Sequence, residues 1–151
     1  MDMKKTFVVV LLGLALAACG GGSSEGVTGS SAPTMPQVAG SYTGTLDITF
    51  PELGTSLSCP GSTVITQSGS TISLTPFVAA GACGGMSVPV GFRSIDSNGA
   101  VPDESGSFNE PTCGIYNYFA SGGFAGRELR FSVNATSNTC WNMNITGVLS
   151  R

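Results

Sequence analysis

Side chains able to do chemistry are few in this chain, and the acidic ones cluster. Asp103, Glu104 and Glu110 fall in one stretch, PDESGSFNE, with Asp96 and Asn98 just upstream. Paired carboxylates can run glycoside hydrolysis, and oxygen-rich loops can hold calcium. Asp96, Asn98, Asp103 and Glu104 are therefore candidate calcium ligands. Yet Asp96-Ser97-Asn98-Gly99 lacks the later ligands and closing Glu of an EF-hand loop. A solvated acidic loop satisfies the same sequence more simply. Histidine is absent from the 151 residues, which removes the commonest general base and the commonest metal ligand together. No Ser-His-Asp arrangement can form. Lys4 and Lys5 are the only lysines, and they sit in the N-terminal leader described below, so a Ser-Lys pair fails as well. The reading is a non-catalytic protein that calls for no cofactor.

Aromatic residues offer the other opening. Tyr116, Tyr118 and Phe119 stand close together in one run, and on a strand successive side chains point to opposite faces. One of Tyr118 and Phe119 must then face away from the core and could belong to a binding patch. An inward set with Tyr42, Phe92, Phe131 and Trp141 could line a cavity. Simple core filling is the plainer expectation.

Charge narrows the partners. Only 10% of residues are charged and the net charge is −3, so no basic patch exists to neutralise a row of phosphates, and nucleic acid is excluded as a partner.

The N-terminus reads as an address. Lys4 and Lys5 precede an apolar run from Phe7 to Leu16, followed by Ala17-Ala18-Cys19. A membrane-spanning helix needs about 20 apolar residues, so this run is too short to span and reads as a cleavable secretory signal, residues 1–18. Leu16-Ala17-Ala18-Cys19 resembles the lipobox of bacterial lipoproteins, in which signal peptidase II cleaves before a cysteine that carries diacylglycerol. The resemblance covers about the first twenty residues. It implies lipidation at Cys19 and a chain anchored to, but not spanning, a membrane. Gly20 rather than Asp after the cysteine implies sorting to the outer membrane of the cell envelope.

Cysteine arithmetic agrees with that assignment. Five cysteines are an awkward number for an exported protein. Giving Cys19 to lipid leaves Cys59, Cys83, Cys113 and Cys140, an even set suited to two disulfides in an oxidising compartment. Their spacing contains no C-x2-C knuckle, which argues against zinc. Three connectivities are open, of which 59–83 and 113–140 join the nearest neighbours in sequence.

Residues 19–37 form a lipidated cysteine and a Gly/Ser/Pro-rich tether, and residues 38–151 form a single β-domain. From Val38 onward hydrophobicity alternates with period two, as in Tyr42, Leu46, Ile48 and Phe50 against Thr43, Thr45, Asp47 and Thr49. Punctuation by Ser68-Gly69, Asn98-Gly99, Gly122-Gly123 and Ser137-Asn138 places about eight strands near 41–50, 62–68, 71–78, 86–95, 100–108, 115–121, 127–136 and 139–149. Pro89 inside the fourth run demands a bulge or an edge. The expectation is an all-β antiparallel meander, a small up-and-down barrel or a sandwich, stapled by two disulfides.

Two details resemble the lipocalin-like (calycin) barrels. Gly40-Ser41-Tyr42 opens the first strand much as that superfamily's Gly-x-Trp does, with Tyr replacing Trp. Thr146-Gly147-Val148-Leu149 echoes Thr43-Gly44-Thr45-Leu46, as if the first and last strands pair. The resemblance implies architecture and assigns no ligand. The functional expectation is an envelope lipoprotein whose β-domain binds a small apolar or amphipathic ligand. The alternative is a module that binds an envelope protein or polysaccharide. A carboxylate-based hydrolase ranks third.

Overall fold

A computed structural model describes residues 34–151, and Cys19, the leader and most of the tether lie outside them. The domain is all-β, with strands β1 (Gly40–Phe50), β2 (Thr55–Ser68), β3 (Thr71–Leu74), β4 (Phe77–Ala79), β5 (Met86–Val88), β6 (Ala100–Glu110), β7 (Gly114–Ala125), β8 (Glu128–Ser137) and β9 (Met143–Ser150). They form one curled antiparallel sheet in the order β5-β4-β2-β1-β9-β8-β7-β6, with β3 paired to the far end of β2. A sandwich of two facing sheets is thereby excluded.

First and last strands do pair. Gly44 lies opposite Leu149, Thr45 opposite Val148 and Leu46 opposite Gly147, the register that the repeated Thr-Gly dipeptides suggest. Leu46 and Leu149 are fully buried, as are Tyr42, Ile48, Ile145, Leu129 and Val133 on the same concave face. Burying each large apolar side chain stabilises by about 1.5–3 kcal/mol. On the convex face the same strands carry mostly Thr, Ser and Asn, so the alternation separates core from water along most of their length.

The concave side is filled with aromatic rings. Phe77 of β4 and Phe131 of β8 stack at 4.1 Å between centroids, and Tyr42 meets Phe124 edge to face at 5.9 Å. Phe131 crosses over Gly147, where a Cβ would collide with its ring. Gly147 is small so that a ring from the neighbouring strand can reach the opposite wall. The N-terminal approach is pinned in the same way. The Tyr42 hydroxyl donates to the Val38 carbonyl at 2.9 Å, the Val38 N–H to Gln67 Oε1 at 2.7 Å and Gln67 Nε2 to the Pro36 carbonyl at 2.8 Å.

Several strands differ from the sequence reading, each for a local reason. The run 71–78 divides at Thr75-Pro76, where proline supplies no ladder donor, into β3 and β4. The run 86–95 stops being a strand at Val88, immediately before Pro89, for the same reason. In contrast β2 starts at Thr55, because Pro60 and Gly61 sit inside a strand rather than a turn. Gly61 faces inward, and a Cβ there would strike the Leu46 side chain.

Both disulfides join sequence-nearest cysteines. Cys59 of β2 is bonded to Cys83, which lies in a single 3-10 turn at Gly81–Cys83, with Cα atoms 6.1 Å apart. Cys113, between β6 and β7, is bonded to Cys140, between β8 and β9, with Cα atoms 5.4 Å apart. Each bridge closes a loop for which chain entropy gives roughly 3 kcal/mol of stabilisation.

Because Phe131 is wedged between Gly147 and Phe77, Gly147→Ala should destabilise the domain by about 1–3 kcal/mol, measured by denaturant unfolding. An unchanged midpoint would mean that the ring has room to move and that the interior is not filled.

Candidate functional site

The sheet does not close on itself. Segments 86–95 and Ala100–Glu110 leave the Asn98-Gly99 turn as a hairpin would, and the turn itself is well made. Gly99 takes a positive φ of 86°, its N–H donates to the Asp96 carbonyl at 3.1 Å, and Asp96 Oδ1 accepts from the N–H groups of Asn98 and Ala100, both at 2.8 Å. Beyond the Asp96 N–H to Ala100 carbonyl contact at 3.0 Å, no backbone hydrogen bond joins the two segments among the described residues. Pro89 and Pro102 stand on facing sides and supply no N–H. The β6–β7 register also slips between Val101 and Glu104.

A side chain takes over where the backbone fails. Glu104 of β6 reaches across the seam, and its Oε1 accepts from the Gly91 N–H at 3.2 Å and from the Tyr118 hydroxyl at 2.7 Å. Two glycines make this reach possible: a Cβ on Gly91 would lie 2.8 Å from Glu104 Oε1, and one on Gly106 would lie 2.7 Å from the Tyr118 hydroxyl. Glu104 Oε2 is buried without a hydrogen-bond partner. Burial, followed by the hydrogen bond and the charge of Glu104, pushes the Tyr118 phenol up to about 12. On the other flank, segment 93–95 bonds β3 through Ile72 N–H to the Arg93 carbonyl at 3.0 Å, and the turn before β3 through Ile95 N–H to the Ser70 carbonyl at 2.9 Å.

Past Glu104 the seam gapes. There a cleft of about 600 Å³ opens between β5 and the end of β6, within the size range of ligand pockets. Met86 and Val88 form one wall and Phe108 and Tyr116 the other, the two rings stacked 5.3 Å apart. Phe50 and Met143 also line it, and Trp141 stands at its border with 53% of its surface exposed. Both disulfides border the opening through Cys83 and Cys113.

The mouth is acidic. Among the described residues Glu110 is the one charged residue lining the cleft, its Oε2 accepting from the Thr112 and Cys113 N–H groups at 2.8 and 2.6 Å. Glu52 Oε1 accepts from Asn142 Nδ2 at 2.6 Å and so fixes the residue beside Trp141. The Tyr116 hydroxyl donates to the Trp141 carbonyl at 3.1 Å. Burial first, then the charges of Glu110 and Glu52, raises the Tyr116 phenol above its ordinary value.

The structure scatters the aromatic residues singled out in the sequence. Tyr116 and Trp141 border the cleft, Tyr42, Phe92 and Phe131 pack in the core, and Tyr118 is spent on Glu104. Phe119 points outward, 51% exposed, between Ser105 and Asn134, so no Tyr-Phe patch forms. Asp96 holds its turn, Asp103 is exposed and Glu104 closes the seam. Among the described residues no three acidic or cysteine side chains converge as a metal-binding group. Phe50, Met86 and Met143 stand at inward places of the sequence alternation, whereas Phe108 follows a register slip in β6 and has no such signal. What the alternation does not reveal is that the sheet opens beside them.

No family model matches the chain, and no curated protein or solved structure matches it.

Glu104→Ala should leave the Gly91 N–H and the Tyr118 hydroxyl unpaired and cost about 1–3 kcal/mol. Since the folded phenol of Tyr118 holds its proton to about 12 against 10.0 ordinarily, stability is full below pH 10 and falls as pH rises through 12. All three tyrosines are raised by burial, and a phenolate absorbance titration should show the Tyr118 step, at about 12, moving part way back toward 10 in Glu104→Ala, the burial remaining. A titration unchanged by the substitution would contradict the Glu104 contact.

Proposed function

We propose that this chain is a bacterial envelope lipoprotein, acylated on Cys19, whose β-domain is a non-catalytic binding module. Its cleft holds the apolar part of an apolar or amphipathic ligand. The observation that carries this reading is open space lined by Met86, Val88, Phe108, Tyr116 and Met143 in a domain whose interior is otherwise packed. A half-exposed tryptophan at the border adds a large, rigid apolar surface, the residue type that dominates binding energies.

The anchor is supported by the leader and by cysteine use. Cys59, Cys83, Cys113 and Cys140 pair among themselves, so Cys19 is the one cysteine outside the disulfides. Disulfides suit an exported domain. The third reading, a hydrolase built on carboxylates, gains no support from Asp96, Glu104 and Glu110, each of which accepts hydrogen bonds within its own loop or seam.

Two experiments test the reading. The neutral fluorophore 1-aminoanthracene should bind saturably, and Trp141→Ala should weaken it about tenfold, equivalent to about 1.4 kcal/mol. Binding that is absent, or indifferent to Trp141→Ala, would remove the cleft as a site. In a bacterial host, labelled palmitate should enter the full chain and fail to enter Cys19→Ser; equal labelling of both would remove the anchor.

A further inference from the structure

We infer that the cleft takes an extended peptide segment of a partner protein, added as a strand between β5 and β6 and carrying Lys or Arg beside alternating apolar residues. This rests on the cleft being a binding site and names the ligand class that fits it.

Backbone chemistry is the first argument. Among the described residues β5 is paired with β4 alone and β6 with β7 alone, so each presents an edge without a strand partner there, and both edges border the same cleft. Free strand edges expose rows of N–H and C=O groups that a further strand satisfies. A rounded apolar ligand would fill the space and leave those groups bonded to water.

The protein's own chain supplies the second argument. In the other half of the same seam, segment 90–95 forms one lip and is itself extended. It bonds β3 through the Arg93 carbonyl and the turn before β3 through the Ile95 N–H, while it meets β6 through the Gly91 N–H and the Glu104 side chain. There a side chain bridges the two margins, and the cleft begins where that bridge ends and Pro89 interrupts the lip. Val90, Phe92 and Ile95 of this lip are buried, which shows the side-chain pattern the margin rewards: apolar residues turned inward at near-alternate places.

Charge gives the third argument. Glu110 lines the cleft, no cation does among the described residues, and Glu52 stands beside Trp141 through its bond to Asn142. A basic residue next to the inserted strand would meet both carboxylates, and Trp141 offers an exposed aromatic face to the same cation. An anionic amphiphile would meet repulsion at the same place.

The test uses the capped peptide Lys-Val-Thr-Val-Thr-Val-Lys, its counterpart N-methylated at the three valines, and 1-aminoanthracene. Binding to the intact oxidised chain is followed by Trp141 fluorescence for the peptides and by dye emission for the fluorophore. The proposal expects saturable binding of the first peptide, at least tenfold weaker binding of the N-methylated one, and displacement of the dye by the first. Added protection of amides in 86–88 and 105–110 against hydrogen exchange should accompany it. Equal binding of both peptides would overturn strand addition. Binding of the dye with neither peptide would overturn it too, while leaving the cleft as a small-molecule site. If neither dye nor peptide bound, both readings would fall.

Discussion

Two facing segments, 86–95 and Ala100–Glu110, leave a well-made turn without forming a backbone ladder, and the carboxylate of Glu104 stands in for the bonds they lack. Much of the molecule follows from that one seam. A meander whose first and last strands pair would close as a barrel if this hairpin zipped, since the remaining neighbours from β6 through β7, β8, β9 and β1 to β2 are already paired. Proline on both sides prevents it. Glu104 can compensate only because Gly91 and Gly106 are bare of side chains and Tyr118 can lie across β6 to share its oxygen.

Holding a sheet open is costly for a domain of this size, because an open seam exposes apolar walls that a closed barrel would bury. The two disulfides lie at the open end, where the ladder gives least support. Cys59–Cys83 ties the turn before β5 back to β2, and Cys113–Cys140 ties the β6–β7 turn to the loop that carries Trp141. Each lip of the cleft is thus fastened to the paired body of the sheet. Aromatic stacking between Phe77 and Phe131 braces the walls from within. A rigid body with one unsatisfied margin is what a preformed binding site requires.

The sequence makes the strand class legible because period-two alternation runs along β8, β9 and most of β1, where Tyr42, Leu46, Ile48, Leu129, Phe131, Val133, Ile145 and Leu149 are buried and most of their neighbours are polar. It makes the disulfides legible because cysteines that close short loops are the nearest partners. Composition misleads at Pro60 and Gly61, which imitate a turn inside β2. The acidic stretch PDESGSFNE reads both as a solvated loop and, over 100–108, as a strand; it is strand β6, with Phe108 facing the cleft. The cleft itself is not legible. Tyr116 and Trp141 give no sign in sequence that they border open space while Tyr42 and Phe131 do not, because that difference depends on which neighbouring strands fail to pair. Pro89 carries the one local warning, and it points to an edge without saying what faces it.

Residue-resolved amide hydrogen exchange on the intact oxidised chain tests the open seam most directly. In β9 and β1, which are paired on both sides, consecutive amides should be protected. Along β6 between Ser105 and Glu110, protected amides that face β7 should alternate with fast-exchanging ones that face the cleft. Uniform protection along that stretch of β6, equal to that of β1, would mean that the hairpin closes, and would contradict both the seam and the site built on it.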